Sequence, residues 1–260
     1  MLWKKGWWET RWLFLTGLAA ILLMLALMFA IDYDAAKWLA KLRHSEGLSE
    51  GERNILASFQ GRTWALWFKA LLNFLWTDYA VIMGAACLMN PGFACLMNPC
   101  LPAQGGAGLF TLSLPVSRRK VLWWQALIGF SEIFLVALIV PILLPLIARF
   151  QGQWFSWKDA LIYTLMMVLG GAVFFCFSFL LAVILGNFIV AFIVAEAVVI
   201  AHFLSSQSYG ARPWWNILGV MAGESYFFRG QIPWLGLSIS LILSAVFMFA
   251  AIRIYERRDL

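Results

Sequence analysis

The sequence predicts an all-α polytopic membrane protein with six transmembrane helices, an interfacial helix at the N-terminus and a short helix in the loop after the second span. Three observations carry this. The 260-residue chain is 63% hydrophobic and only 12% charged, against roughly 25% charged in soluble domains. Six apolar runs are long enough to cross a bilayer core, which takes about 20 residues. Fifteen tryptophans suit rings held at headgroup level. The chain reads as one membrane domain, 1–260. Its net charge of +6 comes from cations beside spans, which attract anionic lipid headgroups. No basic patch is interleaved for nucleic acid.

Met1–Arg11, MLWKKGWWETR, places Trp3, Trp7, Trp8 and Trp12 on one side at helical spacing, with Lys4, Lys5 and Glu9 away from it. Such a helix lies in the interface; a plain lead-in is the alternative. The expected spans are Trp12–Ile31, Trp64–Met89, Val121–Ile147, Ala160–Leu185, Phe188–Leu204 and Trp234–Tyr255. The first is span-length, and bulky Met28 stands where a signal-peptide cut after Ala30 would want a small residue, so the run is expected to stay as an anchor. In the loop Asp32–Thr63, residues Ala35, Trp38, Leu39 and Leu42 have helical spacing and indicate a second interfacial helix.

Pro141 and Pro145 should kink the third span. Trp154 and Trp157 bring the next loop to a membrane surface. Gly186-Asn187 leaves only a tight turn, so the fourth and fifth spans must be antiparallel neighbours. Ser178, Ala182 and Gly186 form a small-residue ridge on the fourth, with Ala191 and Ala195 on the fifth. Ser205–Pro233, with Trp214, Trp215, Tyr226, Phe227 and Phe228, reads as a partly embedded hairpin or a loop on the headgroups. ACLMNP at Ala86–Pro91 recurs at Ala94–Pro99, a tandem duplication that lengthens a loop and carries no chemistry.

Catalytic patterns are missing. His44 and His202 have no partner at metal-site spacing, and no GxSxG elbow occurs. The four cysteines, Cys87, Cys95, Cys100 and Cys176, make no CxxC pair, so neither zinc nor redox chemistry is signalled. No Gly-Lys dipeptide exists, hence no phosphate loop. The chain is expected to be no enzyme and to hold no cofactor or metal. Inside the spans, Lys69 is close enough to its helix end to snorkel. Asp78, Glu132 and Glu196 lie deeper, where a carboxylate costs on the order of 3 kcal/mol. They either line a path or gating contact, or serve as hydrogen-bonded helix–helix contacts.

The stretch Gly105–Lys120, GGAGLFTLSLPVSRRK, interrupts the second and third runs. A glycine cluster leads into an apolar turn of Leu109, Phe110, Leu112 and Leu114. Pro115 pushes its predecessor out of the α region, which ends a brief helix from about residue 108 to 113. Arg118, Arg119 and Lys120 follow where the next run meets water. Exposed Leu and Phe on a loop point to a docking partner.

LSLPVSR, followed by Arg-Lys, resembles the membrane subunits of ABC exporters of the type 2 permease family. The wider resemblance takes in the N-terminal interfacial helix, six spans, the glycine-rich stretch and the terminal ERRDL, Glu256–Leu260. It implies that this loop is a cytoplasmic coupling helix seated in a groove of a separate ATP-binding subunit. Gly106-Ala107 stands where the family commonly has Gly-Thr, beside Gly108. Leu109, Phe110, Leu112 and Leu114 stand in the apolar turn, and Pro115, Ser117 and Arg118 match PVSR. Gln104 and Gly105 replace the acidic residues often found before the glycine.

The resemblance further implies an exporter permease subunit that pairs with a second permease copy in the cell membrane, with both termini cytoplasmic. Charge alone leaves orientation undecided, because nine Lys and Arg fall on either side. The rival expectation is an ATP-independent transporter or channel-like protein using Asp78, Glu132 and Glu196. An inverted repeat would favour the rival, and none is visible. A membrane protease would need histidine and carboxylate clusters that the chain lacks.

Overall fold

The computed structural model describes residues 7, 10–23, 25–27, 62–87, 118–150, 155–208 and 216–257. Among them every element is helical: α1 Thr10–Leu27, α2 Arg62–Ala86, α3 Arg118–Ala137, α4 Val140–Phe150, α5 Trp157–Leu185, α6 Phe188–Ser208, α7 Ile217–Met221, α8 Glu224–Arg229 and α9 Trp234–Arg257. Five apolar runs are long enough to cross a membrane: α1, α3 continued into α4, α5, α6 and α9. The exposed faces of α6 and α9 are apolar, with Ile189, Ile193, Leu235, Ile242, Val246 and Phe249 outward. Such faces suit lipid rather than water, and the chain is built to be embedded in a membrane. The second expected span, Trp64–Met89, corresponds to α2. It has the length, 25 residues, but Lys69, Asn73 and Asp78 interrupt its apolar run, so it does not join the other five on apolarity.

Helix α5 is the axis of the bundle. Helices α9 and α2 pack along it most extensively, and α3, α4, α6 and α7 meet it over shorter stretches. Its Tyr163, Phe175 and Phe179 are fully buried, as is Trp76 of α2. Small residues allow the close approach. A Cβ on Gly84 of α2 would run into the Phe175 carbonyl oxygen, and one on Gly171 of α5 would run into the Trp76 ring. Ala85, Ala182 and Ala191 form a cluster where α2, α5 and α6 meet, which bears out a ridge through Ala182 and Ala191. Hydroxyls bond across the same seams. Ser178 Oγ donates to the Val81 carbonyl at 2.7 Å, and Ser240 Oγ of α9 donates to that of Gly170 at 2.6 Å.

The connections follow local chemistry. Gly186 takes a left-handed conformation (φ 62°) that closes α5, and Asn187 Oδ1 then accepts from the backbone N–H groups of Ile189 and Val190 at 2.9 and 3.3 Å. A two-residue turn therefore joins antiparallel neighbours, as the spacing predicts. Ser156 caps the other end of α5, accepting from Lys158 N–H. The third run breaks between Ala137 and Val140, because Pro141 has no N–H for the Ala137 carbonyl. Ile139 N–H instead bonds Val136 at 3.2 Å, a tighter turn before α4 resumes.

Within Ser205–Pro233 the described residues hold two short helices, α7 and α8, joined at Gly223. They pack on protein: Met221 covers Gly170 and Gly171, and Phe227 stacks on Phe155 at 6.0 Å. Tyr226 Oη donates to Asp159 Oδ1 at 2.9 Å, which ties the pair to the first turn of α5. Thr10 and Arg11 already belong to α1, so the first span begins two residues before the expected Trp12. The rest of the N-terminal interfacial helix, apart from helical Trp7, lies outside the described residues. So do the helix expected near Ala35–Leu42 and most of the ACLMNP repeat.

Candidate functional site

The polar groups that the sequence places in the spans separate into distinct seams. Helix α2 supplies most of them. Asn73 and Thr77 lie one turn apart, and Thr77 Oγ1 donates back to the Asn73 carbonyl at 2.7 Å. Asn73 Oδ1 accepts from Tyr163 Oη of α5 at 2.8 Å, fully inside the bundle. Asp78 is turned by its five-residue offset from Asn73, about 140° around the helix, toward α6. There its carboxyl lies beside that of Glu196. A carboxylate offers only acceptors, so a hydrogen bond between the two would need one proton held between them. Asp78 Oδ1 and Glu196 Oε1 are both buried without a protein donor among the described residues.

Glu132 of α3 sits elsewhere. Its side chain is completely buried, and Thr10 Oγ1 of α1 donates to its Oε1. Its Oε2 has no partner among the described residues. Tyr79 and Cys87 stand close enough to feel its charge, and the Cys87 thiol lies over Gly129, one helical turn from Glu132. The three carboxylates thus do not form one continuous polar line. Asp78 and Glu196 are paired between α2 and α6, whereas Glu132 joins α1 to α3. Both arrangements can hold helices together, and the first can also carry a proton.

Of the proposed coupling residues, Gly106, Gly108, Leu109, Phe110, Leu112, Leu114, Pro115 and Ser117 lie outside the described residues. Arg118 is the first residue of α3. Directly after it, Arg119, Lys120, Trp123, Trp124 and Leu127 border an open surface hollow of about 310 Å³, with the cations exposed at its rim. Among the described residues no three His, Cys, Asp or Glu side chains gather to hold a metal ion, and the Cys87 and Cys176 thiols are free.

Sequence reasoning passed over Asn73, Thr10 and Asn216. Asn73 was the most accessible of these, because Lys69, Asn73 and Thr77 recur at one-turn spacing along an otherwise apolar helix. Thr10 and Asn216 carry no such signal; only the packing gives them a role. No protein family, curated protein or solved structure matches the chain.

Proposed function

We propose that the chain is the permease subunit of an ATP-driven exporter of the ABC type 2 kind. In this reading α2 crosses as a sixth span, and the loop 105–120 carries a brief coupling helix, about 108–113, that docks a separate ATP-binding subunit. A second permease copy completes the path, in the cell membrane with both termini cytoplasmic. The observation that carries the reading is the join at Arg118. An apolar turn ends at Pro115, three cations follow, and they lead directly into a membrane-length helix. The chain has no phosphate loop of its own, so the energy must come from a partner.

The test is co-purification of a co-expressed ATP-binding subunit of the ABC type with loop variants at equal permease level. Burying one Leu or Phe contributes roughly 1.5–3 kcal/mol. Phe110→Asp or Leu112→Asp forfeits that and desolvates a charge, so ATPase retention should fall at least about tenfold, or 1.4 kcal/mol. Membrane insertion should be unchanged, since no span is altered. Full retention by both variants would remove the loop as the docking site.

The Asp78–Glu196 contact favours one second reading, an ATP-independent transporter that moves a proton through the α2–α6 seam. Proteoliposomes holding the chain alone distinguish the two. Substrate movement driven by a pH gradient and lost in Glu196→Gln supports the second reading; movement only with ATP and an ATPase supports the first.

A further inference from the structure

The α7–α8 pair and the start of α9 enclose a hollow of about 330 Å³ whose wall is as much polar as apolar. Asn216 lines it. This residue is 4% exposed, and neither its amide oxygen nor its amide nitrogen has a hydrogen-bond partner among the described residues. A buried amide without partners is a standing penalty that a ligand would relieve. Asn216 sits at the N-cap of α7 but makes no side-chain cap bond. His202 of α6 adjoins it without bringing either amide atom into hydrogen-bond geometry.

A carboxylate converges on the same point. Built onto Gly219, a Cβ would stand 3.3 Å from Glu224 Oε2 and 3.6 Å from Asn216 Nδ2. The amide and the carboxylate therefore meet over a residue without a side chain, and the space between them is open. Pro233 and Trp234 form the opposite wall, and the Trp234 ring is 70% exposed at the mouth. The Tyr226–Asp159 bond sets this hollow at the α5 N-terminal end of the bundle. Arg118 lies at the other end, because α3 and α4 run the length of the bundle before α5 returns.

We infer that this hollow binds a small ring bearing adjacent hydroxyls, the chemistry of one sugar residue. The Asn216 amide needs both a donor and an acceptor, and a hydroxyl is both. An ammonium group would satisfy the amide oxygen but leave Nδ2 without an acceptor. The Trp234 face suits the C–H face of a ring. The volume lies near the lower end of small-ligand pockets, roughly 300–1,000 Å³, and so fits one ring rather than a chain. The ring could be free or the headgroup of a glycolipid. The inference stands whether or not an ATPase couples to the other end.

The experiment uses the full chain in phosphatidylcholine nanodiscs free of sugar detergents. Saturation-transfer NMR is read on methyl β-glucopyranoside, methyl β-galactopyranoside and methyl β-mannopyranoside, with ethanolamine as the cationic control. Nanodiscs doped with monoglucosyl diacylglycerol compete if the glycolipid is the preferred source, and leave the signal unchanged if the free sugar is. At least one glycoside should show transfer. Gly219→Ala places a methyl group in the gap between Glu224 and Asn216 and should weaken binding at least tenfold. Its melting temperature should hold, because the nearest contacts are flexible side-chain ends. Asn216→Leu should do the same, and Trp234→Phe should retain most binding. Transfer to ethanolamine alone, no transfer to any glycoside, or equal binding by folded Gly219→Ala and parent would overturn the assignment.

Discussion

Replacing Gly84 with alanine should pry α2 from α5. The added Cβ would run into the Phe175 carbonyl oxygen and lie 3.1 Å from Ser178 Cβ and 3.2 Å from the Phe175 carbonyl carbon. Its nearest obstacle is backbone, so no rotamer change relieves it. Restoring a separation of about 3.5 Å requires the helices to part by roughly 1 Å. Three residues away, Ser178 Oγ bonds the Val81 carbonyl at 2.7 Å, and that movement stretches the bond beyond useful length. Overpacking costs about 1–3 kcal/mol and an interhelical membrane hydrogen bond about 0.6, so a loss of about 2–3 kcal/mol is expected. Reversible unfolding in bicelles with added SDS measures it. Gly129→Ala supplies the control, because there the new Cβ meets the Cys87 thiol. Gly129→Ala combined with Cys87→Ala should recover most of its loss, whereas truncating Ser178 should recover nothing for Gly84→Ala. Parental stability in Gly84→Ala would refute the close α2–α5 crossing.

Two further outcomes can be read in the same assay. Asp78→Ala strands the Glu196 carboxyl at an apolar seam and should cost about 2–3 kcal/mol, with most of the loss recovered in Asp78→Ala/Glu196→Ala. Glu196→Gln should assemble normally, since its amide supplies the donor that the pair needs; strictly additive single and double losses would dismiss the pairing. Thr10→Val should cost about 1 kcal/mol in the parent but almost nothing in a Glu132→Leu background. An equal cost in both backgrounds would show that Thr10 and Glu132 do not act together.

Much of the helical plan was legible because it depends on local chemistry. Proline without an N–H breaks the third run near residue 139, and Gly186-Asn187 closes and caps two helices within one turn. Both effects act over a few residues, so the order of letters contains them. The carboxylates were legible as exceptions, since each interrupts an apolar run. Their partners were not. Thr10 and Glu132 are 122 residues apart in the chain, and no local pattern links a threonine at the head of α1 to the middle of α3. The same holds for Asn216, whose significance is an absence of partners that only the packed helix pair creates.

Helix α2 shows why apolarity alone misjudges a span. Hydropathy treats each residue as if it faced lipid. Yet from Leu72 to Ala86 α2 is mostly covered by protein: Asn73 is covered by Tyr163 of α5, Asp78 by Glu196 of α6, and the Tyr79 ring by Gly17 of α1. A helix enclosed in this way can carry polar side chains, provided that each is given a partner by a neighbour. The outer helices α6 and α9 have no such cover and remain apolar on their exposed faces. Asn73 and Asp78, two of the polar residues that lower the hydropathy of α2, are therefore ones that its neighbours cover. That correspondence is the physical ground for proposing α2 as the sixth span. It also makes the seams of α2 the place where a change in helix packing would alter the proton and hydrogen-bond pairing of the bundle.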